Sequence, residues 1–175
     1  MSCITEILKL KGNKEVLLDL DKDGKPWIAV EGGGTYKDYE YLIVLNHMGH
    51  RCGYVAIPPG HKANNVGQRQ NTFTKDYELD YFNLNIECHG GLTFGSNKHG
   101  LKRLLSTPCT DHWIGFDCGH LYDKSDLEAL EKYYGEGYAE NRKKYEHKFF
   151  DDVNSEIRSY RYAENECKKI IEQLI

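Results

Sequence analysis

The sequence predicts an α+β fold: a mainly antiparallel, twisted sheet built from hairpins, with a long C-terminal helix. Three observations predict it. Strand-like apolar runs come in pairs separated by turn residues, before any strong helical signal. No strand–helix–strand alternation, the mark of a parallel sheet, precedes them. After Asp123 the apolar period lengthens from two to about 3.6. The 175 residues read as one domain, mainly β over 1–123 and mainly helical over 124–175. That length can bury a core without staples.

The elements follow in order. Ile4, Ile7 and Leu8 share one face if Met1–Leu10 is a short helix, and the same stretch also reads as an edge strand. Glu15–Leu20 and Lys25–Val30 face each other across Asp21–Gly24, a hairpin signal. The same acids resemble the start of a calcium loop, but Val30 and Gly32 stand where its closing acid belongs. Gly32-Gly33-Gly34 precedes a strand-like run rather than a helix, so it reads as a flexible loop, not a phosphate cradle. Tyr39–Leu45 and Arg51–Ile57 make a second hairpin, stopped by Pro58-Pro59-Gly60.

His61–Asp80 is polar and reads as a long surface loop or lid. Tyr81–Phe94 alternates like a strand and passes into Cys88-His89-Gly90-Gly91. His112–Asp117 is a short apolar run with aromatics, a buried strand. Ser125 with Glu128 forms a capping box for a helix that Gly135 and Gly137 end. Asp152–Ile175 carries Val153, Ile157, Tyr160, Cys167, Ile170, Ile171 and Leu174 at helical spacing.

Composition narrows the function classes. A formal net charge of −4 supplies no general attraction to duplex nucleic acid or an anionic membrane. No run approaches the roughly 20 apolar residues of a membrane span. The start, Met1–Glu6, has neither a basic cluster nor a long apolar stretch. The expectation is a cytoplasmic protein whose six cysteines are reduced thiols. A homo-oligomer is compatible with the pattern.

Chemistry concentrates where the two apolar runs end. His89 sits at paired glycines, where the backbone bends and can approach a ligand closely. Asp117, Cys118, His120 and Asp123 follow the buried strand. An Asp with a His is a minimal general-base pair, and with a second His it also makes a divalent-metal set. Both readings stand at this point, and the cofactor is left open. Cys118 beside a His is either a nucleophile or a buried core thiol. His61 and Lys62, on a rigid Pro-Gly turn, could face an anion or simply be solvated. The expected set is His89, Asp117 and His120 for catalysis, with Tyr54, His61, Lys62, Thr93, Cys118 and Asp123 contacting the ligand.

Three motifs carry a resemblance. Gly53–Pro58 (GYVAIP), His89–Phe94 (HGGLTF) and Gly115–His120 (GFDCGH) resemble a group of small uncharacterised proteins of Gram-positive bacteria, their phages and mobile elements. In that group the third motif typically reads G-F-D-C-A-H-A-G-D. Here Gly119, Leu121 and Tyr122 depart from it, and Asp123 keeps the final acid. The resemblance implies a phage or mobile-element origin. By analogy it implies a protein that degrades, or captures without degrading, a nucleotide-like or phosphorylated host-defence signal.

Overall fold

Three consecutive apolar runs, each broken by a tight turn, build the centre of the sheet. The computed structural model describes residues 3–9, 28–61, 63, 68–70, 77–79, 84–95, 112–146 and 155–175. In chain order the elements are α1 (Cys3–Leu8), β1 (Ile28–Tyr36), β2 (Tyr39–Asn46), β3 (Arg51–Ile57), β4 (Gln68–Gln70), β5 (Tyr77–Leu79) and β6 (Phe94–Gly95). Then come β7 (His112–Asp117), β8 (Asp123–Lys124), α2 (Leu127–Tyr134), α3 (Glu136–Glu146), β9 (Glu156–Ile157) and α4 (Tyr160–Leu174). The main sheet has the order β1-β2-β3-β7-β6, and every pairing in it is antiparallel. The fold is α+β, with the C-terminal helix on one sheet face.

Alternation sorts the side chains between two cores. Tyr41, Ile43, Val55, Ile57, Ile114 and Phe116 pack against Ala163, Cys167, Ile170, Ile171 and Leu174 of α4. Val44, Cys52, Tyr54, Ala56 and Trp113 point the other way, to Ile4 and Ile7 of α1. The first residues therefore form a helix, and its apolar face is the one the spacing marks. Ala29 and Leu45 meet Ala129, Leu130 and Ala139 from α2 and α3.

Several expected elements change. Gly32-Gly33-Gly34 is not a loop but part of β1, paired with Ile43, Leu42 and Tyr41. A Cβ on Gly32 would lie 2.6 Å from the Tyr160 hydroxyl oxygen. Glycine there lets α4 cross the sheet closely. The β1–β2 turn is Lys37-Asp38, with φ of 46° and 67°, the left-handed pair that suits a two-residue hairpin. The hairpin expected at Asp21–Gly24 lies outside the described residues. Within the stretch expected to be a loop, β4 and β5 pair with each other.

Residues 84–93 are not a strand. Part of their backbone bonds to α4: Glu87 N donates to Gln173 Oε1 at 2.8 Å, and Gln173 Nε2 donates back to Glu87 O at 2.8 Å. Side chains of a helix take the place of a ladder. The N-cap of α2 is Asp126, whose side chain accepts from Ala129 N. Ser125 Oγ instead donates to Met48 O at 2.6 Å. The last helix starts later than its period suggests, capped by Ser159, and Ile157 is an exposed strand residue.

The expectation of six free thiols is corrected. Cys3 is disulfide-bonded, and Cys52, Cys88, Cys118 and Cys167 are free. Its partner lies outside the described residues, and spacing alone cannot reveal such a pairing. Among the described residues no helix is long and apolar enough to cross a membrane.

One buried charge network ties the sheet to the helices. Arg51 gives Glu31 two bonds, Nε to Oε2 at 2.7 Å and Nη2 to Oε1 at 3.1 Å. Its Nη1 reaches Asp126 Oδ2 at 2.8 Å and donates to Arg158 O at 2.9 Å. Burial works to lower the Arg51 pKa, but Glu31 and Asp126 outweigh it and hold the guanidinium charged.

Candidate functional site

Strand β7 delivers the first functional groups. Its last residue, Asp117, pairs with Cys52 of β3, and the next amide, Cys118 N, still donates to Arg51 O at 2.8 Å. Beyond it the chain turns. Asp117 Oδ1 accepts from Gly119 N at 2.9 Å, and Asp117 Oδ2 accepts from Thr93 Oγ1 at 2.9 Å. The turn closes where Asp123 N donates to His120 O at 2.9 Å. Asp123 then enters β8, which pairs in parallel with β9. That pairing buries Asp123 to 2% exposure.

The second contribution is the bend at Gly90 and Gly91, with φ of 63° and 84°. L-residues rarely take two such conformations in succession. Thr93 N donates to Gly115 O at 2.9 Å, which fixes one side of the bend to β7. On the other side His89 N donates to Glu166 Oε2 of α4 at 2.7 Å.

His89 is thereby held between three elements. Its Nε2 lies 2.6 Å from Asp123 Oδ2, and its Nδ1 lies 2.8 Å from the Tyr162 hydroxyl. An ionised carboxylate only accepts, so Nε2 carries the proton and Nδ1 accepts from Tyr162. Arg158 Nε donates to the other Asp123 oxygen at 2.7 Å. Its guanidinium lies 5.0 Å from the Tyr162 ring centroid, over the face. His120 meets His89 edge to face, with centroids 5.3 Å apart. Its ring lies against Gly90: a Cβ there would be 2.0 Å from His120 Cε1. His120 Nδ1 is 3.7 Å from Asp123 Oδ2 and 4.0 Å from Asp117 Oδ1. That nitrogen is buried and makes no hydrogen bond. His120 and Asp117 are 37% and 36% exposed, so the cluster opens on their side.

Asp123 is the electrostatic centre. Burial alone would raise its pKa, but bonds from Arg158, His89 and the His120 amide outweigh that and hold it below 3.8. A folded-state pKa below the unfolded one stabilises the protein above the unfolded value. The contribution is lost as pH falls through the folded value. Melting temperature should therefore drop on the acid side of pH 3.8. Asp123→Asn, though less stable at neutral pH, should show a shallower acid limb in a thermal-melt series. An unchanged acid limb would mean that Asp123 is not so held.

The structure brings together His89, Asp117, His120, Asp123 and Thr93. Cys118 is close in sequence but buried in the α4-side core, and burial pushes its thiol pKa far up. It does not face the opening. Tyr54 is also not in the cluster. It is 5% exposed on the opposite sheet face, with its ring 5.0 Å from Phe94. His61 stands apart, its Nε2 3.0 Å from Leu174 O and its ring edge to face with Tyr39. Lys62 lies outside the described residues.

Sequence reasoning missed Arg158, Tyr162 and Glu166. Tyr162 and Glu166 stand four residues apart on α4, a polar pair that helical periodicity could have singled out, while Arg158 precedes the Ser159 cap and carries no such signal.

The arrangement can accept and pass protons at the half-exposed His120 and Asp117. The donor atoms of His89, His120 and Asp123 also lie within 4.8 Å of one another, close enough to share one cation. Comparison with protein-family models, curated proteins and solved structures returns no match.

Proposed function

We propose that this protein hydrolyses a small phosphorylated, nucleotide-like molecule at the His89–His120–Asp117–Asp123 cluster. The observation that carries the reading is the contrast between the two histidines. His89 has both ring nitrogens engaged, by Asp123 and Tyr162, and acts as a braced positioning residue. His120 is more than a third exposed and sits over Gly90 at the opening. Asp117 beside it is anchored from two sides yet open to water.

In this reading Asp117 takes a proton from the attacking water. The water oxygen bonds to phosphorus as the bond to the leaving oxygen breaks, and Asp117 returns the proton to that oxygen. His120 donates a hydrogen bond from Nε2 to the phosphoryl oxygen as charge builds there. The nucleotide class follows from the resemblance to phage and mobile-element proteins, and directs attention to nucleotide signals of host defence.

The test is incubation of the full chain with mono-, di- and cyclic dinucleotides, with and without added Zn²⁺, followed by heat release and chromatography. Altered products are expected. His120→Ala should cut turnover by about 100-fold or more, the scale of a lost proton-transfer or oxyanion partner. Its melting temperature should stay within a few degrees of the parent's. His61→Ala should turn over normally. Recovery of an intact ligand would replace hydrolysis with sequestration, and neither products nor ligand would end the reading.

A further inference from the structure

We infer that His89 Nε2, His120 Nδ1 and Asp123 Oδ2 form a three-ligand site for a divalent transition-metal ion of the zinc class. The assignment rests on the reading of the same cluster as a hydrolytic site, and deepens it by naming what holds the water.

The first observation is the orphaned nitrogen. His120 Nδ1 is buried with no hydrogen bond, and leaving such a group unmatched is unfavourable. It points at Asp123 Oδ2 from 3.7 Å, while His89 Nε2 approaches the same oxygen at 2.6 Å. Metal bonds of 2.0–2.1 Å in a tetrahedron put two ligand atoms about 3.3 Å apart. One separation is a little short of that and the other a little long. The third pair, His89 Nε2 and His120 Nδ1, lies within 4.8 Å, so closing the set on one ion takes a shift of the rings.

The second observation is the set of partners behind the ligands. Metal-binding imidazoles and carboxylates usually have their remaining atoms fixed by neighbours. Here Tyr162 holds His89 Nδ1, and Arg158 holds Asp123 Oδ1. Binding at Nε2 moves the His89 proton to Nδ1, and the Tyr162 hydroxyl changes from donor to acceptor.

The ligand types select the ion. Two imidazoles and one carboxylate suit zinc and its neighbours, whereas magnesium and calcium prefer oxygen throughout. Cys118 stays out of the set because it is buried in the core beneath α4, and the clustered ligand atoms belong to His89, His120 and Asp123. Three protein ligands leave a position for water, as hydrolytic zinc sites do. Asp117 Oδ1, 4.0 Å from His120 Nδ1, is the neighbouring carboxylate on the exposed side, and a zinc-bound water loses its proton near pH 7.

The test uses full-length protein stripped with a chelator and titrated with Zn²⁺ by calorimetry, with Co²⁺ as a spectroscopic probe. One Zn²⁺ per chain is expected. His89→Ala and His120→Ala should each weaken binding at least 100-fold without changing the far-ultraviolet circular dichroism, while His61→Ala should bind normally. Absence of stoichiometric binding, or binding that survives in the His89→Ala/His120→Ala double variant, overturns the assignment. The two readings fail separately. Zinc binding with no turnover of any nucleotide removes hydrolysis and leaves the metal site. Full turnover by stripped protein in chelator removes the metal site and leaves hydrolysis.

Discussion

Arg51→Met should lower the melting temperature by roughly 6–20 °C. Removing one partner from a buried ion pair costs about 3–5 kcal/mol, and in a domain of this length each kcal/mol is worth about 2–4 °C. Arg51 is 7% exposed, and its guanidinium reaches Glu31, Asp126 and the Arg158 carbonyl at once. Methionine can fill the volume but leaves the Glu31 and Asp126 carboxylates without the guanidinium that bonds both. Glu31→Leu combined with Arg51→Met should recover part of the loss, since the more deeply buried of the two stranded carboxylates is then gone. Thermal denaturation of the two single variants and the double variant measures this. A shift under 3 °C for Arg51→Met would show that the network holds little. The same arginine fixes the backbone of Arg158, which holds Asp123, so Arg51→Met should also weaken zinc binding.

Gly90→Ala should abolish both turnover and zinc binding, each by about 100-fold or more, the scale set by removing a catalytic or ligand-orienting group. The added methyl would lie 2.0 Å from the His120 ring, so the ring must leave its place beside Asp123. The backbone is also strained: a left-handed L-residue costs about 1–2 kcal/mol, or roughly 2–8 °C here. Gly91→Ala separates the two effects. Its φ is 84°, but a Cβ there meets nothing within 4 Å. It should lose comparable stability and keep the site. If Gly90→Ala retains parental activity, His120 does not depend on its contact with Gly90.

What could be read from the chain depended on how local the deciding physics was. Strands β2 and β3, their turn and β7 were legible, because alternation and turn residues are nearest-neighbour signals. The C-terminal helix was legible from Cys167, Ile170, Ile171 and Leu174, all buried against the sheet. Its start was not. Val153 and Ile157 fit the period, but Ser159 sets the boundary by accepting from Tyr162 N. Residues 84–93 alternate like a strand. Gln173 and Glu166 take their amides instead, and no local pattern announces a partner about 80 residues away. The glycine triplet misled for the same reason, since only the nearness of Tyr160 explains it.

At the candidate site, His89, Asp117, His120 and Asp123 were visible as reactive residues at the ends of apolar runs. Tyr54 stands in the GYVAIP motif, and Cys118 was a candidate because it neighbours a histidine, with a core thiol as its other reading. The alternation that built the strands put Tyr54 in the opposite core, and Cys118 points into the core beneath α4. Arg158 and Tyr162 went unseen because they lie well downstream, on an element read for its apolar face alone.

The short parallel pairing of β8 with β9 bears on when the protein can work. It joins Asp123 to Glu156 in register, with Glu156 N donating to Tyr122 O. The cluster is thus completed by Arg158, Tyr162 and Glu166, which leave the ribosome well after His89 and His120. A nascent chain that has already folded its sheet still lacks the arginine that anchors Asp123 and the tyrosine that orients His89. Whatever chemistry the cluster performs would then wait until α4 has been synthesised and docked, so a stalled or clipped chain should be silent rather than partly active.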